Sequence, residues 1–147
     1  MHIQTLARRM AEFRIVYAPK LAVQQGELRD VEKLSEYYLW LLRLDQVIPL
    51  FYNLTKKKSR IIALAEFWLI NEEDVQRIKN HQPPAIFSGG SICYVANVTV
   101  ARGFEHWPIF KFYRTALKLK LPDIETAAWY DLKKQEYIMR RVIRCKL

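Results

Sequence analysis

Apolar residues recur at three- and four-residue steps through Leu28, Val31, Leu34, Tyr38, Leu41 and Leu42, which predicts an amphipathic helix from about Leu28 to Leu44. Pro49 then marks entry to an extended run from Leu50 to Thr55. Lys56 to Arg60 reads as a hairpin turn leading into a strand from Ile61 to Ile70. That second strand is almost continuously apolar, as a strand covered on both faces should be. Asn71, with Asp74 three residues on, predicts an N-cap and a short helix to about Asn80. Pro83-Pro84 and Gly89-Gly90 bracket the loop that follows. An alternating run then predicts a strand over 91–101, closed by an Arg102-Gly103 turn that feeds a helix from Trp107 to about Lys120. Phe110 and Tyr113 fall at core spacing on that helix. Leu121-Pro122-Asp123 stops it, and strands are predicted from Ile124 to Tyr130 and from Gln135 to Ile143. At the other end of the chain, a helix to about Glu12, an extended Phe13 to Tyr17 and a break at Ala18-Pro19 form an N-terminal extension over 1–26. A single domain over 27–147 follows it.

A hairpin feeding a strand–helix–strand unit implies an α/β (α+β) fold: a mixed sheet flanked by helices, with an N-terminal helical extension. The crossover from strand 91–101 to strand 124–130 should be parallel and right-handed. At 147 residues and 51% hydrophobic composition, the chain can bury an ordinary core. No run of about 18 uncharged apolar residues exists to span a bilayer. The N-terminus lacks the basic-then-apolar order of a signal peptide, so a cytoplasmic location is expected. Cys93 and Cys145 are isolated and read as reduced thiols. The net charge of +9, from 24 basic and 15 acidic residues, favours anionic partners: nucleic acid, acidic proteins or phosphorylated cofactors.

Few residues carry candidate chemistry. His106 lies in the strand-to-helix loop, where a general acid or base could reach a substrate; a surface or capping role is the alternative. Cys93, on the expected central strand, is either a nucleophile or a small buried residue. Glu66 interrupts an apolar strand and is either a catalytic carboxylate or one satisfied by a partner. His2, His81 and His106 are scattered, as are the two cysteines, and no metal site is expected. Arg102, Lys111 and Arg114 lie at or just after the turn, where they would meet a phosphate or line a solvated face. Trp107, Phe110, Phe112, Tyr113, Trp129 and Tyr130 interleave with basic residues, a pattern that also suits stacking on single-stranded nucleic acid.

From the Leu50 hairpin onward, the element order resembles the GNAT acyltransferase superfamily. There the strand before the long helix splays from its neighbour, and the loop after it wraps the coenzyme A pyrophosphate with an Arg/Gln-x-x-Gly-x-Gly/Ala pattern. Here the loop reads Arg102-Gly103-Phe104-Glu105-His106-Trp107-Pro108: the Arg-Gly opening is kept, but bulky residues replace the second small one and Glu105 adds negative charge. Across roughly residues 34–143 the chain is similar to the RTX toxin-activating lysine acyltransferases, a GNAT-like branch supplied by acyl carrier protein. The resembling pieces are Val47-Ile-Pro-Leu50, Ala63-Leu-Ala-Glu-Phe-Trp-Leu69 followed by Glu72-Glu73, Phe87-Ser-Gly-Gly90, the strand Tyr94 to Gly103, and Phe110-Lys-Phe-Tyr-Arg114.

The resemblance implies transfer of an acyl group from acyl carrier protein, rather than from acyl-coenzyme A, to a protein lysine, with no resident cofactor. Arg102, Gly103, Lys111 and Arg114 would hold the donor, and Asn97 or His106 would orient the acceptor. The family's histidine, expected between the first helix and first strand, is missing from the short Leu44 to Val47 connection. Asn97 stands at the family's aspartate and cannot act as a general base. The alternative is therefore a catalytically inactive interaction module of the same fold, binding an acidic protein or nucleic acid in a larger assembly. A homodimer is compatible with the aromatic content and the N-terminal helix.

Overall fold

The computed structural model describes residues 2–18, 30–53, 55, 58–131 and 133–141. Its elements are α1 (Ile3–Tyr17), α2 (Val31–Leu44), β1 (Val47–Asn53), β2 (Ser59–Ile70), α3 (Glu72–Lys79), β3 (Ile92–Val100), α4 (Ile109–Lys120), β4 (Thr126–Asp131) and β5 (Glu136–Arg141). Backbone pairing orders the strands β1-β2-β3-β4-β5 in one sheet. β1 runs antiparallel to β2, and β4 antiparallel to β5. β3 and β4 are parallel, as a strand–helix–strand crossover requires. The mixed sheet with helices is thus the fold class that the element order predicts. None of the described helices is long and apolar enough to cross a membrane.

The described residues divide into two compact units, one within Met1–Leu21, Gln25–Glu66 and Asn97–Trp107, the other within Ala22–Gln24, Phe67–Ala96 and Pro108–Leu147. In the first unit α1 and α2 pack together. α2 starts at Val31 because the Asp30 carboxylate accepts the backbone N–H groups of Glu32 (2.9 Å) and Lys33 (3.2 Å). Asp45, in the left-handed region at φ 59°, ends it. Leu34, Tyr38 and Leu41 are its buried face. Leu28, where the periodicity predicts the helix to begin, lies outside the described residues.

α1 corrects one expectation. Phe13 to Tyr17 is helical, not extended. Ala7, Met10, Ala11 and Arg14 follow the i, i+3, i+4, i+7 spacing of one helix face, and all four are buried. Packing that stripe outweighs the modest strand preference of Ile15 and Val16. Arg14 is the unexpected member. Its guanidinium forms an ion pair with Glu66 of β2 through Nη1 and Oε1, donates to the Tyr38 hydroxyl at 3.1 Å and, through Nε, to the Ala18 carbonyl at 3.1 Å. Tyr38 in turn donates to Glu66 Oε1 at 3.2 Å. Arg9 on the same helix donates to the Ser59 carbonyl at 3.0 Å, tying α1 to the start of β2.

The β1–β2 hairpin pairs Val47 with Glu66 and Asn53 with Ser59, with a register shift between Leu50 and Phe51. Its turn is narrower than Lys56–Arg60, since Ser59 and Arg60 already belong to β2. Thr55 and Lys58 exchange backbone hydrogen bonds of 3.2 and 3.3 Å. Lys56 and Lys57 lie outside the described residues.

In the second unit the end of β2 supplies Trp68, whose ring centroid lies 4.9 Å from that of Phe87 and 5.5 Å from that of Tyr94. Gly90 passes so close to β2 that a Cβ there would lie 2.1 Å from the Ile70 carbonyl carbon, so only glycine fits. Asn71 and Asp74 form the expected capping box. Asp74 is buried, and its Oδ1 also accepts the Ala85 N–H at 2.6 Å. On α4 the core positions are Ile109 and Tyr113; Phe110 is 64% exposed. The helix begins at Ile109 rather than Trp107; Tyr113 is inward as its spacing predicts, while Ile109 takes the inward place expected of Phe110. Val142, Ile143 and Cys145 lie outside the described residues.

Removing one member of a buried ion pair strands the other's charge, while replacing both with apolar residues removes the problem. Glu66→Leu should therefore lower unfolding stability by about 3–5 kcal/mol, and Arg14→Met combined with Glu66→Leu should recover most of that loss. Urea unfolding of the single and double variants measures both; a double variant as unstable as the sum of the singles would contradict the pairing.

Candidate functional site

The strand–turn–helix segment keeps the feature that the resemblance implies. The parallel register of β3 with β4 covers Ile92↔Thr126 to Val95↔Trp129 and stops there, although β3 continues to Val100. The turn that follows contains Arg102 and Gly103, both exposed. Gly103 has φ 95°, a backbone conformation that side-chain-bearing residues rarely adopt. Its N–H, the natural donor to an anion here, already donates to the Glu105 carboxylate at 2.7 Å. Backbone N–H groups of Glu105 and Gly103 hold the Glu105 carboxyl below its ordinary value, and the charges of His106 and Arg102 add to this.

The turn does not feed directly into a helix, as the spacing suggests. Phe104 to Pro108 intervene, shaped by N–H donation from Phe104 to the Ala101 carbonyl and from Trp107 to the Phe104 carbonyl, each 3.1 Å. The rings of Phe104 and Trp107 also pack against Tyr52, which holds this loop on the first unit. His106 is exposed in the loop. Lys111 and Arg114 are exposed on α4, in the second unit.

Asn97 stands elsewhere in chemical terms. Its Nδ2 donates to Thr99 Oγ1 at 2.6 Å, placing both side chains on one face of β3. Asn97 also acts on Glu66. Burial raises the Glu66 carboxyl above its ordinary value, while the Arg14 charge and the Tyr37, Tyr38 and Asn97 side chains oppose that rise. Oε1 takes the Arg14 and Tyr38 donors, whereas Oε2 has no donor in hydrogen-bonding geometry among the described residues. Burial also lifts the Tyr38 hydroxyl well above its usual value, with the Glu66 charge adding to the effect.

Glu66 is therefore a carboxylate held by partners at Oε1, and Asn97 belongs to its surroundings. Arg14 and Tyr38 were not among the residues singled out from the sequence. The available signal was an arginine on the apolar stripe of α1, facing a chain that holds one glutamate within a long apolar strand. Cys93 is buried, and burial pushes its thiol up to about 12, which excludes a thiolate nucleophile at neutral pH. No cluster of three or more His, Cys, Asp or Glu side chains able to hold a metal occurs among the described residues.

An aspartate at 97 would set a second carboxylate beside Glu66 with one guanidinium to serve both. Asn97→Asp should lower stability at neutral pH by about 2–4 kcal/mol. Its own carboxyl would be raised in the folded state, so the deficit should be small below the ordinary carboxylate range and grow as pH rises through the raised value. Urea midpoints measured across that pH range check this; a deficit independent of pH would count against the like-charge explanation.

No protein-family model matches the chain, and no curated protein matches it in sequence. Solved structures do. The loading GNATL domain of CurA from Lyngbya majuscula aligns with 88% of this chain and 61% of its own, at TM-score 0.56 and 8% identity. The GphF GNAT-like decarboxylase, in complex with isobutyryl-CoA, aligns with 86% of this chain and 61% of its own, at TM-score 0.52 and 11% identity. The chain thus spans less than two thirds of the length of either. With its mixed five-stranded sheet and its β3–turn–α4–β4 segment, the chain has the GNAT-like fold.

Proposed function

We propose that this protein is acyltransferase-like, moving an acyl group from acyl carrier protein to a protein lysine. The observation that carries this reading is the β3–turn–α4–β4 segment, in which β3 parts from β4 after Val95 and turns at Arg102-Gly103. Arg102 and the Gly103 backbone are assigned to the donor's phosphate groups; Lys111 and Arg114 are exposed basic positions on α4 in the second unit. Transfer requires the neutral lysine amine to attack the thioester carbonyl. A C–N bond forms, the C–S bond breaks, and the amine's proton passes through a base to the departing thiolate. An amide cannot take that proton, so Asn97 is limited to orienting groups and His106 is assigned the base. A chain of net charge +9 suits an acidic carrier, because complementary charge speeds encounter. That GphF binds isobutyryl-CoA makes acyl-coenzyme A the alternative donor.

A second reading, a partner-binding scaffold without turnover, is favoured by two specific contacts. Asn97 donates to Thr99 beside a buried carboxylate, and Glu105 occupies the Gly103 N–H where an anion would bind.

Incubation with acyl-loaded and unloaded carrier protein and a lysine-bearing peptide separates the two, with complex formation and acyl loss read by intact mass. Acyl transfer that falls about a hundredfold in His106→Ala supports the enzyme. Removing the internal competitor in Glu105→Gln should raise donor affinity by about two- to fivefold, since the contact is at the surface. Binding without acyl loss supports the scaffold, and neither binding nor loss overturns the carrier-protein reading.

A further inference from the structure

The first unit carries a compact group of exposed rings that acyl transfer does not use. Tyr52 at the end of β1 is 38% exposed, and Trp107 at the end of the loop after β3 is 46% exposed. Phe104 lies between them, half-buried. The ring centroids are 5.8 Å apart for Tyr52 and Phe104, 5.7 Å for Tyr52 and Trp107, and 4.8 Å for Phe104 and Trp107. The Trp107 ring stands nearly edge-on to the others, at 78° to Tyr52 and 67° to Phe104. Tyr52 and Trp107 thus keep part of their ring surface in solvent while packing on one another. Arg60 pairs with Tyr52 across the β1–β2 ladder, and its guanidinium carbon lies 5.0 Å from the centroid of Phe104. An arginine held over a ring in this way is fixed in place with its outer N–H groups still available.

The segments that flank the rings in sequence are basic. The hairpin segment that ends at Arg60 reads Lys56-Lys57-Lys58, and Arg102 precedes the ring-bearing loop. Glu105 is the acidic residue of these two segments, and its carboxylate is engaged with the Gly103 N–H. Exposed rings for bases beside cations for the backbone are the two requirements for holding an unpaired strand without reading its sequence. A duplex hides its base faces and would find no use for the rings. An acidic protein would use the cations but offers no regular series of flat partners. We propose that Tyr52, Phe104 and Trp107, with Arg60, form a stacking surface for single-stranded nucleic acid.

The test uses the full chain and a labelled oligothymidylate of about twenty nucleotides, followed by anisotropy. Three phosphate contacts, from Lys58, Arg60 and Arg102, predict that log affinity falls with log salt at a slope of about −2. Trp107→Ala and Tyr52→Ala should each weaken binding about tenfold, and Trp107→Phe should restore most of it. An abasic strand of the same length should bind about tenfold more weakly than the oligothymidylate. Trp107 is already half in solvent, so its replacement should leave the circular dichroism spectrum unchanged and lower the melting temperature only by the few degrees that lost ring contacts imply. No binding at low salt overturns the proposal. So does an abasic strand that binds equally well, which would leave only attraction between charges. A Trp107→Ala protein that keeps its affinity for the strand while losing affinity for acyl carrier protein assigns the surface to a protein partner and also overturns it.

Discussion

A guanidinium and a carboxylate withdrawn from water together constrain the first unit more than any other contact. Alone, either charge in that interior would be strongly unfavourable; paired, each still needs its remaining hydrogen-bonding capacity met. Several features follow from this one requirement. α1 must stay helical through its last turn to deliver Arg14, and the Ala18 carbonyl beyond that turn accepts Arg14 Nε. α2 must present a hydroxyl rather than a methyl at position 38, because Tyr38 both accepts from Arg14 and donates to Glu66. β3 must offer a neutral polar group rather than a charge beside Glu66, and Asn97 does.

The last of these bears on chemistry. At position 97 this chain has an amide that donates to Thr99 and lies beside a buried carboxylate. The GNAT-like fold is present with a neutral group at this position, which is electrostatically compatible with its neighbours. Fold and activity are separable in this way because the sheet is held by backbone pairing and apolar burial, neither of which depends on the ionisable groups of a site. The Gly103 turn shows the same separation: its backbone conformation is retained, and an internal carboxylate has taken up its donor.

Much of the architecture is legible in local pattern. The apolar periodicity of α2, the almost continuously apolar run of β2, the Asn71–Asp74 cap and the β3–α4–β4 order each appear where the residues indicate. These features are set by neighbours a few residues apart. The end of α1 departs from the local signal because Ile15, Val16 and Tyr17 favour strands locally, while the buried stripe that keeps them helical depends on packing partners distant in sequence. Arg14 and Glu66 are 52 positions apart, and nothing local to either specifies the other. Phe110 illustrates a subtler limit. Both i−3 and i−4 neighbours of Tyr113 are apolar, so periodicity leaves open which of them shares its face, and packing selected Ile109 over Phe110.

β1 is an outer strand of the sheet, with Pro49 within it and a register shift after Leu50. Proline has no N–H to lend a newcomer, and a shifted register breaks the even spacing of donors and acceptors that a further strand would need. The opposite edge, β5, carries Arg140 and Arg141, both exposed. A missing donor and a shifted register at β1, with exposed arginines on β5, are features that disfavour the addition of a further strand at either margin.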